Sequence, residues 1–132
     1  MTQRNTHLKI DGKLCGELLE LREGRATARL IATKEMVVDD QGLIHGGFIF
    51  GLADHAAMLA VNDPNVVLGS ADVRFVAPVK VGDEVVAAAT TVEHKGKKYV
   101  IAVSAKVAAA EVLTGTMTAF VLDQHVLSKS RE

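Results

Sequence analysis

The chain has 132 residues, the size of one ordinary domain, long enough to bury a core and too short for two comfortable ones, so a single domain over residues 1–132 is expected. With 15 Lys and Arg against 16 Asp and Glu, its formal charge of −1 supplies no global field for gathering nucleic acid or an anionic membrane, and neither is expected as a partner. Cys15 is the only cysteine, which excludes an intramolecular disulfide framework and fits a reducing compartment.

The opening segment MTQRNTHLKIDGK is polar and lacks the apolar stretch of a signal peptide. No apolar run approaches the ~20 residues of a transmembrane helix, and a cytoplasmic, soluble protein is the expectation. A short strand is predicted from about Gly16 to Leu21. From Arg25 to Thr33 the pattern alternates, with Ala26, Ala28, Leu30 and Ala32 on one side and Arg25, Thr27 and Arg29 on the other, as in a half-buried strand. Gly46 to Val61 is apolar on nearly every side and reads as a buried helix, stopped by the turn cluster Asn62-Asp63-Pro64-Asn65. Val67, Gly69, Ala71, Val73 and Phe75 then alternate with Ser70, Asp72 and Arg74, in a strand ending near Pro78. Two long strands, Val85 to His94 and Lys98 to Ala108, join across Lys95-Gly96-Lys97, where Gly supplies the positive φ of a tight hairpin. A last strand runs from about Val112 to Leu122, and the polar tail from Ser128 to Glu132 is expected to fray. One helix among long strands gives an α+β chain: a curved antiparallel sheet wrapped around a central apolar helix. Aromatics are scarce, with no Trp and one Tyr, and the small side chains suit a thin, close-packed layer.

Within that helix Asp54 is the anomaly. A carboxylate buried without partners is unfavourable by ~2 to 7 kcal/mol, more if charged, so an acid in this position invites a functional reading. The helix is entered through Ile44-His45-Gly46-Gly47, whose backbone N–H groups point outward at the positive end of the helix dipole. A base and an oxyanion donor are the natural pair of roles.

This order of elements resembles the hotdog fold. More narrowly, Gly42-Leu43-Ile44-His45-Gly46-Gly47 followed by Leu52-Ala53-Asp54 is similar to the signature of hotdog acyl-CoA thioesterases of the phenylacetate-pathway type. The resemblance implies Asp54 as the catalytic acid, Gly46 as the backbone donor that polarises the thioester carbonyl, and His45 as the residue that shapes the loop and helps hold the attacking water. It also implies sites at a dimer interface, dimers commonly paired into tetramers, and no metal or redox cofactor, the CoA ester being the substrate. The chain departs from the pattern at Asp39, where several of these enzymes carry an active-site Asn. An amide donates and accepts, whereas an ionised carboxylate only accepts.

Spacing adds an independent constraint. Gly46 and Asp54 are eight residues apart, about 12 Å along one straight helix at ~1.5 Å per residue, so one thioester carbonyl cannot touch both. Two chains with their helices side by side and antiparallel would pair each Gly46 with the partner's Asp54. Hydrolysis then needs a dimer, with Asp54 acting as general base on water or as nucleophile, two routes that the residues leave open.

Further candidates are Asp39 and Gly47 for positioning substrate or water, and Ser70 and Asp72 for lining the acyl pocket or completing the water site. Lys95, Lys97 and Lys98 are candidate contacts for a CoA phosphate. Phe48, Phe50, Met58 and Leu68 are candidate walls of the pocket, while His55 is expected to face an interface or the pocket wall. Two other readings stand beside hydrolysis. Asp40 and His45 have the spacing of the acid–histidine pair of hotdog enoyl-CoA hydratases, with Gln41-Gly42 replacing the usual Asn-Pro. Ala71 to Gly82 resembles the same strand in the hotdog effector domain of a malonyl-CoA-sensing repressor of lipid synthesis, which implies a non-catalytic acyl-CoA sensor.

Overall fold

The computed structural model describes residues 2–128; the part of the expected frayed tail from residue 129 on lies outside them. In chain order the elements are α1 (Gly12–Cys15), β1 (Glu17–Arg22), β2 (Arg25–Ile31), α2 (Gly46–Val61), β3 (Val66–Phe75), β4 (Glu84–Lys95), β5 (Lys98–Val107) and β6 (Ala110–Val121). Short 3-10 turns occupy Lys34–Met36 and Val126–Ser128. The strands form one antiparallel sheet in the order β1-β2-β4-β5-β6-β3, and α2 packs across it, touching β2, β4 and β5 most. This is the hotdog fold. The two-residue step from β4 to β5 is made by Gly96, whose φ of 60° a side chain rarely adopts.

The alternation of β2 is the basis of its packing. Ala26, Ala28 and Leu30 are buried against the helix, and register carries the same face across the sheet through Val85, Ala87 and Ala89 to Ile101, Val103 and Ala105. Because so many of these are alanines, the helix sits close to the sheet and contributes the bulk itself. Leu52, Met58 and Leu59 are essentially inaccessible, each burial worth ~1.5–3 kcal/mol. Asn62 ends the helix in the left-handed conformation, its N–H returning to the Met58 carbonyl at 2.9 Å. Its side chain ties down the opening segment, accepting from Asn5 N at 2.7 Å and donating to the Gln3 carbonyl at 2.8 Å.

Two expectations change. The helix is apolar all round, yet the sheet covers only part of it: Phe50, Gly51 and Asp54 are only partly covered and Gly47 is exposed. In β3 the alternation breaks at Gly69, which is skipped in the pairing with β6, so that Leu68 opposes Ala119 and Ser70 opposes Thr118. A Cβ at Gly69 would stand 2.5 Å from a ring carbon of Phe120, which explains why glycine occupies the bulge. Beyond it Ala71, Val73 and Phe75 share the helix side with Met117 and Leu113, and most of this edge strand is exposed.

Candidate active site

The helix entrance is built by three segments. Val37 and Ile44 bridge, Ile44 N donates to the Val79 carbonyl at 2.8 Å, and His45 N donates to the Met36 carbonyl at 2.9 Å. These bonds fix His45 in extended geometry as the N-cap of α2, and its Nδ1 accepts from Gly47 N at 2.7 Å. The accepting role of Nδ1 assigns the neutral ring's proton to Nε2. Gly47 tolerates this only as glycine, since a Cβ there would meet the imidazole at 2.8 Å. Phe48 N returns to the His45 carbonyl at 3.1 Å. The Gly46 N–H is thus left without an acceptor among the described residues, at the positive end of the dipole.

Asp54 lies two turns further on, in the helix stripe that the sheet leaves partly uncovered. Its Oδ1 is buried and has no hydrogen-bond partner among the described residues. Burial alone pushes its pKa up, from 3.8 to about 6, which places a proton acceptor close to neutrality. Asp54 also acts on Cys15, whose thiol pKa is raised by burial first and then by the charges of Asp11 and Asp54. A raised thiol pKa is the opposite of what a nucleophile needs.

The remaining candidates are spread over the molecule. Asp39 turns inward on its own loop, Oδ1 accepting from Gln41 N at 2.9 Å and Leu43 N at 3.1 Å. Asp40 stands in the turn of the same hairpin, and among the described residues no hydrogen bond or ion pair joins it to His45 as the hydratase reading would want. Ser70 and Asp72 correct the expectation of a shared site: with Thr118 and Thr116 opposite, they lie on the sheet face turned away from the helix and Asp54. Lys95, Lys97 and Lys98 cluster at the β4–β5 hairpin, at the end of the sheet remote from the helix entrance, and Lys97 Nζ is held by Asp123 at 2.8 Å. Met58 is buried in the protomer core, whereas Phe48, Phe50 and Leu68 are only partly buried.

His55 also departs from expectation. It is 1% exposed, stacked on His7 at 5.9 Å between ring centroids, with Nδ1 3.3 Å from the Cys15 carbonyl and Nε2 unpartnered among the described residues. A cavity of about 520 Å³ between α1 and β2, lined by residues that include Leu14, Arg29 and Ile31, contains none of the α2 residues. Sequence reasoning missed Phe75, whose ring lies against Gly46; nothing local signals a contact between residues so far apart in the chain. Among the described residues, no group of three or more His, Cys, Asp or Glu is arranged to hold a metal ion, and no helix is long and apolar enough to cross a membrane.

A close-packed helix on a curved sheet, with a free backbone donor at its start and an isolated acid in its middle, defines a hotdog-type site. The chain belongs to the thioesterase superfamily, whose family model matches residues 41–111. It is 47% identical over 119 residues to a methylthioribose-1-phosphate isomerase of Aquifex aeolicus, covering 89% of this chain and 26% of that protein. It is 30% identical over 121 residues to the transcription factor FapR of Caldanaerobacter subterraneus subsp. tengcongensis, covering 91% of this chain and 60% of that one. The chain therefore spans about a quarter and about three fifths of these curated relatives. Among solved structures, an uncharacterized protein of Pyrococcus horikoshii superposes with a TM-score of 0.94 at 48% identity over 96% of this chain and 97% of that one. A hypothetical thioesterase of Streptococcus pneumoniae TIGR4, solved with coenzyme A, shares the fold, with a TM-score of 0.74 at 21% identity over 83% and 87% of the two chains.

Proposed function

We propose that the protein hydrolyses an acyl-CoA thioester to the free acid and CoA. The observation that carries this reading is the buried, unpartnered Asp54 oxygen with its pKa near 6, on the helix whose first N–H is free. In a two-fold dimer the Gly46 N–H of one protomer holds the thioester oxygen and Asp54 of the partner faces the carbonyl carbon. Asp54 takes a proton from water as the water oxygen adds to that carbon; the developing oxyanion is held by Gly46, an arrangement worth ~3 to 4 kcal/mol in comparable enzymes. Collapse of the tetrahedral adduct breaks the C–S bond, and the departing thiolate takes up the proton held by Asp54, which releases the CoA thiol and restores the carboxylate. Direct attack by the Asp54 carboxylate, which breaks the C–S bond, expels the CoA thiolate and gives an anhydride that water then opens, uses the same geometry. His45 Nε2–H, pointing away from the helix turn that Nδ1 caps, is the second donor for water or substrate. Coenzyme A bound to the Streptococcus pneumoniae protein of the same fold supports the substrate class.

Release of free CoA thiol from acetyl, hexanoyl, lauroyl, phenylacetyl and benzoyl esters tests the proposal. Wild type turns over at least one ester, and Asp54→Asn, with unchanged oligomeric state, loses ~10²-fold or more, the range for removing a proton-transfer group. Equal rates in the two proteins would remove Asp54 from the chemistry. A second reading, acyl-CoA binding without turnover, rests on the resemblance of Ala71 to Gly82 to the effector domain of a malonyl-CoA-sensing repressor, and the 30% identity with the transcription factor FapR is in keeping with a role other than catalysis. Tight binding of CoA esters with no thiol release from any of them would establish it in place of hydrolysis.

A further inference from the structure

Phe75 closes β3 with its ring against the helix entrance: a Cβ built at Gly46 would stand 3.3 Å from ring Cε1 and 3.6 Å from Cδ1. The amide N and a Cβ share the same Cα and lie about 2.5 Å apart in standard geometry, so the ring edge is within about 6 Å of the free N–H. A carbonyl oxygen held by that N–H lies at the same helix entrance as the ring, so the further atoms of a long or aromatic acyl group have an apolar face beside them to run along. Phe75 is nonetheless 54% exposed and Val76 beside it 49% exposed, so large apolar surface is left open beside a backbone donor. Val73, on the same face of the strand, packs against the core; Phe75 is set beyond it, over the entrance.

Resting on the hydrolase reading, we infer that Phe75 is a specificity-determining residue whose ring forms the acyl-side wall of the site, selecting aryl and alkyl acyl groups over acetyl. The occupant is the acyl group rather than the pantetheine arm. Pantetheine carries two amides that need hydrogen-bond partners on leaving water, and the ring offers none. An acyl chain or aryl ring needs only apolar contact, with an offset or edge-on aromatic pair as the best case.

The test compares wild type, Phe75→Ala and Phe75→Leu on the same panel of CoA esters, with KM and kcat separated. The acetyl methyl offers the ring far less apolar surface than a longer acyl group does, so Phe75→Ala affects acetyl-CoA turnover least. It lowers kcat/KM for phenylacetyl and lauroyl esters roughly tenfold or more, the scale on which an apolar pocket discriminates. Phe75→Leu restores lauroyl more than phenylacetyl. An equal loss on every ester, or no change on any, overturns the inference, as does dissociation of the oligomer in both variants. Affinities of non-hydrolysable S-methyl-, S-hexyl- and S-benzyl-CoA thioethers, read by calorimetry, keep the two proposals apart. If wild type hydrolyses nothing, hydrolysis fails, and a selective loss of S-hexyl and S-benzyl affinity in Phe75→Ala still supports the wall.

Discussion

Asp54 and His55 are neighbours in sequence whose ionisation is displaced in opposite directions by the same cause. Burial raises Asp54 from 3.8 to about 6 and lowers His55 from 6.5 to about 4, the latter partly offset by the bond to the Cys15 carbonyl. An acid with a raised folded-state pKa adds stability that is fully present below 3.8 and is lost as pH rises through about 6. A histidine with a lowered one adds stability that is present above 6.5 and is lost as pH falls through about 4. Between those limits the two contributions oppose each other, each of the order of 2 kcal/mol once partial solvent screening is allowed for, and the wild-type stability stays nearly level. Asp54→Asn removes one side of the balance. The variant melts above wild type at pH 7.5, because no carboxylate is desolvated, and loses that advantage steadily between pH 6.5 and 4.5, where His55 alone titrates. Thermal melts across this range decide it; a mutant profile as level as wild type would mean that His55 is not held neutral by burial. For the proposed hydrolysis, the same displacement predicts that kcat/KM falls below a pH of about 6 as Asp54 takes up its proton.

At the scale of the elements, the proposed pairing of Gly46 with the partner's Asp54 has a geometric consequence: the midpoint between them is residue 50, so the two-fold axis passes beside Phe50 and Gly51. A Cβ at Gly51 would meet nothing within 4 Å in the protomer, so the open space there is what a second helix would fill. Gly51→Ala raises intrinsic helix propensity by up to ~1 kcal/mol, which would stabilise a lone chain. Across the axis it adds two facing methyl groups, and the expected outcome is a weaker dimer on dilution in size-exclusion chromatography; an undiminished dimer would show that the helices do not meet there. The long elements were legible because each carries a period: 2 in β2, β4 and β5, and an unbroken apolar run ended by Asn62-Asp63-Pro64-Asn65 in α2. The four-residue α1 was not, since one turn is too short to show a period. Nor was the face of Ser70 and Asp72, because a period of two cannot say which side a helix will cover, and the bulge at Gly69 inverts the phase set by Val67. In the candidate site, the roles suggested for Asp54 and the helix entrance rest on chemistry that sits within sixteen consecutive residues. The ring of Phe75 on Gly46 and the burial of His55 under His7 depend on long-range closure, to which local pattern is blind.

The whole molecule is where the proposed chemistry is completed, since the protomer separates donor and acid by about 12 Å of helix at ~1.5 Å per residue. That separation makes the assembly testable without a structure of it. Gly46→Pro removes the N–H with little backbone change, although its Cβ would stand 3.3 Å from the half-exposed Phe75 ring, which must give by a few tenths of an ångström: position 46 is the first helical residue, where proline is well accommodated, and His45 before it already has the extended φ of −60° and ψ of 128° that proline demands of its predecessor. Gly46→Pro and Asp54→Asn are each expected to be inactive. Mixed, dissociated and reassociated, they form hybrid dimers in which one site carries both substitutions and the other carries the intact Gly46 of one chain facing the intact Asp54 of the partner. With random pairing half the dimers are hybrids, each with one of two sites restored, so thiol release recovers to about a quarter of wild type for a two-fold interface of this kind. If donor and acid acted within a single chain, every chain in the mixture would carry a broken site and no activity would return, which would remove the shared site and, with it, the requirement that the enzyme be a dimer.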